Sequence, residues 1–302
     1  MNIDRYRIRP GDRRALIRHH PGHTDVLHDK DSAAQRLDHA TAHLGERLEL
    51  LNAQNERSLL LIFQGLDASG KDGAIEHVMS GVNPLFTNVQ MFKQPSNEEM
   101  DHNFLWRAVK ALPGRGTIGI FDRSYYEDVI VVRVHPELLA QQQLPADRIG
   151  PRIWRERFED IRAFERHLWR NGTTIRKFFF HVSREEQRQR LLERFDNPEK
   201  NWKFSTRDVR ERRSWRRYAL AYREALAATS TTWAPWYVIP ADHKWFSRLL
   251  VAEVVVRTLD QMDLRAPVLT AEEKRSLAAV RQELVGRRRA RPTASRRQRT
   301  GA

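Results

Sequence analysis

The chain contains no cysteine in 302 residues. Disulfides and thiolate metal sites are excluded, and nothing in the composition calls for an oxidising compartment. Long apolar runs are also missing. The opening MNIDRYRIRPGDRR is charged throughout and has no stretch suited to secretion or membrane insertion. The expectation is a cytoplasmic protein without membrane contact. Acidic residues are in deficit, with 39 Asp and Glu against 53 Lys and Arg, a net charge of +14. Such an excess suits nucleic acid, membrane surfaces or acidic small molecules, and its location discriminates among them.

Seven arginines, Arg287, Arg288, Arg289, Arg291, Arg296, Arg297 and Arg299, follow Gly286 with no acidic partner, leaving +7 for the rest. Residues 286–302 combine this charge with Pro, Ser and Thr and have too little apolar surface to offset ordering entropy; a disordered tail is expected. Elsewhere, 40% hydrophobic content suffices for one large or two modest domains.

Residues 1–30 are polar, with Val26 and Leu27 as late anchors, and read as a leader draped over the surface. From Asp31 to Arg57, Leu37, Leu44, Leu48 and Leu51 recur at helical spacing, with Asp31 or Ser32 as N-cap. The dense run Ser58-Leu59-Leu60-Leu61-Ile62-Phe63 then ends near a glycine, as a strand buried on both faces does. Similar runs at Val89–Phe92, Thr117–Phe121, Ile175–Val182 and Trp236–Ile239 alternate with helical patterns at 71–80, 98–110, 151–170, 184–195, 206–228 and 244–262; a last helix covers 271–285. Alternation of this kind predicts an α/β fold with a five-stranded parallel sheet between helical layers. The charge-crowded stretch 184–217 reads as an exposed helical lid.

Directly after the first strand comes Gly65-Leu66-Asp67-Ala68-Ser69-Gly70-Lys71-Asp72-Gly73. Strand, spacing, glycines and lysine all fit a phosphate-binding loop that opens a helix. Gly65 and Gly70 permit backbone angles forbidden to other residues, so the N–H groups around Ala68 and Ser69 can converge on phosphate oxygens at a helix N-terminus. Lys71 adds a mobile positive charge. Asp72 stands where Ser or Thr ordinarily coordinates magnesium, and Asp67 lies inside the loop. Two carboxylates beside a phosphate nest repel it unless a cation intervenes, and Mg²⁺ is the natural one. For Asp72 a helix cap is the alternative.

The third run ends in Phe121-Asp122-Arg123-Ser124-Tyr125-Tyr126-Glu127-Asp128. Ligands gather at the carboxyl edge of a parallel sheet, which makes Asp122 the second candidate metal carboxylate. Arg123 has the planar fork to grip a phosphate, though an Asp–Arg pair can also merely cap the next helix. Lys93, Arg107 and Arg133 are candidates for lining a phosphate track. In the lid, Arg188 and Arg190 on a helix and Lys203 beyond it supply cationic charge, with pairing to Glu185, Glu186, Glu193 and Asp208 as the alternative. His39 and His43 have a metal-compatible spacing without a third ligand, and the tryptophans read as packing.

GLDASGKDG at 65–73, SGVNP at 80–84, FLWR at 104–107, FDRSYYEDV at 121–129, NPEKNWKFSTRD at 197–208 and APWYVIPADHKW at 234–245 together resemble the polyphosphate kinase 2 family over roughly residues 5–262. The resemblance implies a three-layer α/β/α, thymidylate-kinase-like phosphate-loop fold. It also implies Mg²⁺-dependent, reversible transfer of the terminal phosphoryl group of inorganic polyphosphate to a nucleotide, and a homo-oligomer. By the same resemblance, Asp67 and Asp122 hold metal, Lys71 steadies phosphates, and Asp67, Arg123 and Glu127 serve the nucleotide acceptor. The run after Arg123 looks most like the branch that accepts adenine and guanine nucleoside mono- and diphosphates, although Tyr125 departs from the pattern.

The expected organisation is a leader 1–30, a phosphotransferase domain 31–265 that includes the lid, a helix 266–285 and the tail. Two rivals stay open. One is an ATP-dependent nucleotide or small-molecule kinase of the same fold, and the other is nucleic-acid binding through the tail.

Overall fold

The computed structural model describes residues 1–25, 29–199, 202 and 205–287. Val26 and Leu27 of the leader, Lys200 and Lys203 of the lid, and the arginines from Arg288 onward lie outside the described residues. Strands β1 Ser58–Gly65, β2 Thr87–Met91, β3 Ile118–Asp122, β4 Thr173–His181 and β5 Trp236–Pro240 form a parallel sheet in the order β2-β3-β1-β4-β5. The longer helices are α1 Lys30–Gln54, α2 Lys71–Val78, α3 Glu127–Val134, α4 Ile153–Arg170, α5 Arg184–Asp196, α6 Trp215–Thr229, α7 Lys244–Asp260 and α8 Ala271–Arg287. The expected α/β class and five-stranded parallel sheet are therefore present.

Alternation along β1 divides the core. Leu59, Leu61 and Phe63 join one apolar layer with Leu44, Leu48 and Leu51 of α1, Ile75 of α2 and Leu250, Val251 and Val254 of α7. Leu60 and Ile62 face the other layer, with Val129 and Ile130 of α3, Phe158 and Ile161 of α4, and Tyr222 and Leu226 of α6. A strand covered on both faces must be apolar along its whole length, which explains the unbroken run. β2 differs: it is the sheet edge, Val89 and Met91 are about half exposed, and only the following Phe92 is buried.

Several boundaries depart from expectation for local reasons. The N-cap of α1 is Asp29, whose carboxylate accepts from the Asp31 and Ser32 N–H groups at 3.0 and 2.9 Å. The expected helix 98–110 is two short ones, Asn97–Met100 and Trp106–Lys110. Asn103 separates them, its side chain accepting from Leu105 N at 3.0 Å and so competing with the helical bond pattern. The expected helix 206–228 is likewise split. Thr206–Glu211 gives way to a 3₁₀ turn, Arg212–Ser214, before α6 begins.

The leader is not draped over the surface. Tyr6 and Ile8 are fully buried, Arg7 pairs antiparallel with Tyr237, and Ile8 N donates to Trp236 O at 2.8 Å. The N-terminal segment thus covers the free edge of β5 with hydrogen bonds and apolar side chains. The described residues up to Arg265 form one compact unit, and those from Ala266 to Arg287 belong to another. Within the second, α8 is exposed from Ala271 through Val285. Among the described residues no helix is long and apolar enough to cross a membrane.

A polar cluster is buried in the layer beneath α3 and α4. Lys177 of β4 and Glu165 of α4 are both fully buried and pair at 2.6 Å. The Tyr125 and Tyr126 hydroxyls donate to the same Glu165 Oε1, each at 2.9 Å, and Lys177 also donates to Thr229 O at 2.8 Å. Burial pushes the Glu165 carboxyl up and the Lys177 ammonium down to about 8, and each charge opposes the shift of the other.

The leader's role gives a direct test. Ile8→Ala removes a fully buried side chain and should cost about 2–4 kcal/mol, read as a lower urea midpoint with unchanged slope. An unaltered midpoint would show that the segment does not contribute to the core.

Candidate functional site

β1 delivers the phosphate loop and the neighbouring β3 delivers the second acidic motif, in a register that sets Phe63 opposite Asp122. Arg123 N donates to Phe63 O at 3.0 Å, so the backbone of the second motif is bonded to the end of the first strand. Gln64 Nε2 adds a buried link to Ser124 Oγ at 3.1 Å.

The loop's glycines are needed where they stand. A Cβ on Gly65 would lie 2.9 Å from Ser69 Oγ and 3.0 Å from Phe180 Cβ, and Gly70, at φ +100°, is left-handed at the start of α2. Ala68 and Arg123 are left-handed too, with φ of 61° and 63°. A non-glycine residue in that conformation is strained, and both facing loops carry one. Lys71 is buried and donates to Gly65 O at 3.2 Å. Asp72 lies in the first turn of α2 but makes no capping bond, since the N-cap position is Gly70.

Arg123 bridges the two motifs. Its guanidinium pairs with Asp67 of the phosphate loop and, at 3.0 Å, with Glu127 of α3. Asp122 is buried at the end of β3, and among the described residues its Oδ1 has no hydrogen-bond partner; Ser69 Oγ is in the same condition. Burial raises the Asp122 carboxyl above its ordinary range, against the pull of Lys71. An unpartnered buried carboxylate oxygen within the influence of Lys71 and Arg123 suits a cation or a hydrogen-bond donor.

Asp67, Ala68, Gly70, Lys71, Asp72, Asp122, Arg123 and Glu127 line one cleft of about 1030 Å³, which also takes in Gly73, Lys93, Arg107, Asp128, Arg190, Asp208 and Arg248; Gly65 and Ser69 are not part of its lining. Arg107 donates to Lys93 O at 2.8 Å and lies over the Phe92 ring, 5.2 Å from its centre. Two of the cationic candidates fall elsewhere. Arg133 pairs with Glu224 at 2.5 Å and lies over Trp154, whereas Arg188 is half exposed and pairs with Glu185 at 2.5 Å. Lys203 lies outside the described residues. Tyr125, whose identity marked a departure from the branch pattern, faces the buried Glu165 rather than the cleft. His43 pairs with Asp260 at 3.1 Å, and among the described residues no group of three metal-ligating side chains is present.

Asp128, Asp208 and Arg248 join the lining without having been singled out. Arg248 carries no sequence signal, Asp208 closes the quoted block at 197–208, and Asp128 closes the second motif. Asp128 is buried, accepts from Gln142 Nε2 at 2.6 Å, and burial pushes it up to about 6 against the pull of Arg107 and Arg157. A folded-state value above the ordinary ~3.9 means the folded chain prefers protonated Asp128. That contribution is complete at low pH and is lost as pH rises through about 6. Asp128→Asn, which retains an acceptor for Gln142, should therefore match the wild type near pH ~4 and exceed it at pH ~7 by on the order of 2 kcal/mol. Urea midpoints across that range check this, and parallel pH profiles for the two proteins would refute it.

Comparison with known proteins identifies the family. The profile of the family described as Polyphosphate kinase 2 (PPK2) matches residues 27–267. An ADP-polyphosphate phosphotransferase of Rhodopseudomonas palustris is 47% identical over 80% of this chain and 84% of its own. An AMP/ADP-polyphosphate phosphotransferase of Meiothermus ruber is 43% identical over 90% of this chain and 98% of its own. The crystal structure of polyphosphate kinase 2 from Arthrobacter aurescens superposes with a TM-score of 0.82 at 35% identity, covering 91% of this chain and 95% of that one. With the phosphate loop, the Asp122-Arg123 motif and the sheet order all in place, the chain belongs to the polyphosphate kinase 2 family.

Proposed function

We propose that the cleft transfers the terminal phosphoryl group of inorganic polyphosphate to a nucleoside mono- or diphosphate, ADP to ATP and AMP to ADP, with Mg²⁺ as cofactor. The observation that carries this reading is the junction of Asp67, Arg123 and Asp122 across β1 and β3, directly beside Lys71. The names of the Rhodopseudomonas and Meiothermus relatives support the acceptor range.

Asp67 and Asp122 are the residues that would hold Mg²⁺. The unpartnered Asp122 Oδ1 suits a hard cation, and since no group of three metal-ligating side chains occurs among the described residues, an ion there would draw further oxygens from water and substrate. When bound, the ion neutralises charge on the transferring phosphoryl group. Lys71 steadies the donor phosphates, and the loop N–H groups cradle them. Arg123, positioned between Asp67 and Glu127, grips the acceptor phosphate. Phosphoryl transfer passes through a loose, charge-rich transition state, so positioning and neutralisation account for the catalysis. A cytoplasmic setting and a homo-oligomer complete the reading, the latter on the family resemblance alone.

The test is an activity matrix of AMP, ADP, GMP and GDP against polyphosphate and ATP. Nucleotide phosphorylation should require polyphosphate and Mg²⁺, and Asp67→Asn or Asp122→Asn should reduce it about 10²-fold or more without unfolding the protein. Mg²⁺ with tripolyphosphate should raise the Tm of the wild type but not of Asp122→Asn. Turnover with ATP alone would favour the ATP-dependent kinase. Nucleic-acid binding that vanishes on deleting residues 286–302 would identify a separate property of the tail.

A further inference from the structure

Arg190 carries charge into the cleft, yet every one of its donors is already engaged. Its Nε donates to Glu186 at 2.7 Å. One terminal nitrogen donates to Ala68 O at 3.1 Å and Ser69 O at 2.9 Å, the other to Ala241 O at 2.6 Å and Asp242 O at 3.1 Å. A guanidinium has five N–H groups, so none remains for a phosphate oxygen. One turn earlier on α5, buried Gln187 donates to Asp67 O at 2.9 Å.

Together these two side chains hold the carbonyls of Asp67, Ala68 and Ser69. The two preceding carbonyls are also taken: Gly65 O accepts from Lys71 Nζ and Leu66 O from Ser69 N. All five carbonyls of the loop are thus bonded within the protein. In a trans peptide the N–H points opposite to the C=O. Fixing Asp67 O and Ser69 O on α5 therefore aims the Ala68 and Gly70 N–H groups away from that helix, and both residues line the cleft.

We propose that Gln187 and Arg190 are positioning residues. They turn the phosphate-loop carbonyls away from the cleft and so leave the Ala68 and Gly70 N–H groups preorganised for a phosphate chain. This deepens the proposed function and rests on it. It also reassigns Arg190 from phosphate ligand to clamp, and it makes the first helix of the lid a structural part of the phosphate loop. Carbonyl oxygens turned toward a polyphosphate would repel it, so releasing them costs affinity even where the charge of the side chain is kept.

The experiment is calorimetric titration of the full-length protein with tripolyphosphate at several salt concentrations, below the Tm of each variant. Arg190→Lys, Arg190→Met and Gln187→Met should each weaken binding by roughly tenfold or more. Lysine should not rescue, because one ammonium cannot span four carbonyls. The slope of log affinity against log salt should stay that of the wild type, whereas loss of a direct phosphate contact lowers it by about one. Wild-type binding by Arg190→Lys, or a slope reduced by about one in Arg190→Met, would overturn the proposal. If the arginine variants do not fold, Gln187→Met carries the test, since it removes one carbonyl anchor without altering charge; unchanged affinity there overturns the proposal as well. Failure of the wild type to bind tripolyphosphate would remove the functional reading itself, and the clamp's purpose with it.

Discussion

The parallel pairing of β1 with β3 is the constraint on which the site depends. The pairing sets Phe63 beside Asp122, so two motifs separated by more than fifty residues in sequence emerge side by side from the same sheet edge. A shift of one residue along this ladder would reverse every side chain on β3, moving Asp122 off its face and Ile120 out of its apolar layer. The core and the site therefore enforce the same register. Leu59 and Leu61 on one side and Leu60 and Ile62 on the other hold the strands in the one alignment that brings Arg123 to Asp67.

Behind the second motif, the Glu165–Lys177 pair supplies a second fixed point. Burying such a pair repays its desolvation only when the remaining donors and acceptors are satisfied, and a hydrophobic replacement is often no less stable. Here the satisfaction is supplied by Tyr125 and Tyr126, which follow Ser124 and the left-handed Arg123. The polar cluster thus ties the chain leaving the site to β4 and α4. An apolar cluster would tolerate small shifts in this segment, whereas hydrogen bonds from two hydroxyls to one carboxylate oxygen tolerate few. The strained backbone of Arg123 persists because its surroundings over-determine it.

Much of this was legible in the sequence because it depends on local chemistry. The unbroken apolar runs announced buried parallel strands. The glycines, Lys71 and the Asp122-Arg123 pair marked the loops at the sheet edge. What escaped detection depends on contacts remote in sequence. Nothing local to Tyr6 and Ile8 reveals that they cover β5 more than two hundred residues away, and their polar neighbours disguise them. Arg190 and Arg188 look alike in a charge-rich helix. Only the packing of α5 against the phosphate loop sends one to the loop carbonyls and leaves the other in solvent with Glu185. Arg133 was placed near the site by proximity in sequence, but α3 turns it toward Glu224 and Trp154. The breaks in the helical patterns arise from side-chain bonds such as that of Asn103, which a periodicity count does not register.

The distribution of charge also changes the account of how a polyanion would be held. The composition suggested a lid of spare cations, but several described lid arginines are paired: Arg188 with Glu185, Arg190 with Glu186, Arg194 with Asp208 and Arg207 with Glu211. In the cleft, Asp67 and Glu127 both hold Arg123. A phosphate chain entering such a site displaces carboxylates from their cations instead of meeting bare positive charge. The carboxylates so released need a counter-charge of their own, which the divalent ion proposed for Asp67 and Asp122 would supply. On the proposed reading, metal and phosphate are consequently coupled: each neutralises the charges that the other uncovers, so neither alone gains the full interaction energy. On that reading, the carboxylates that look out of place beside a phosphate chain are what makes its binding dependent on the metal ion.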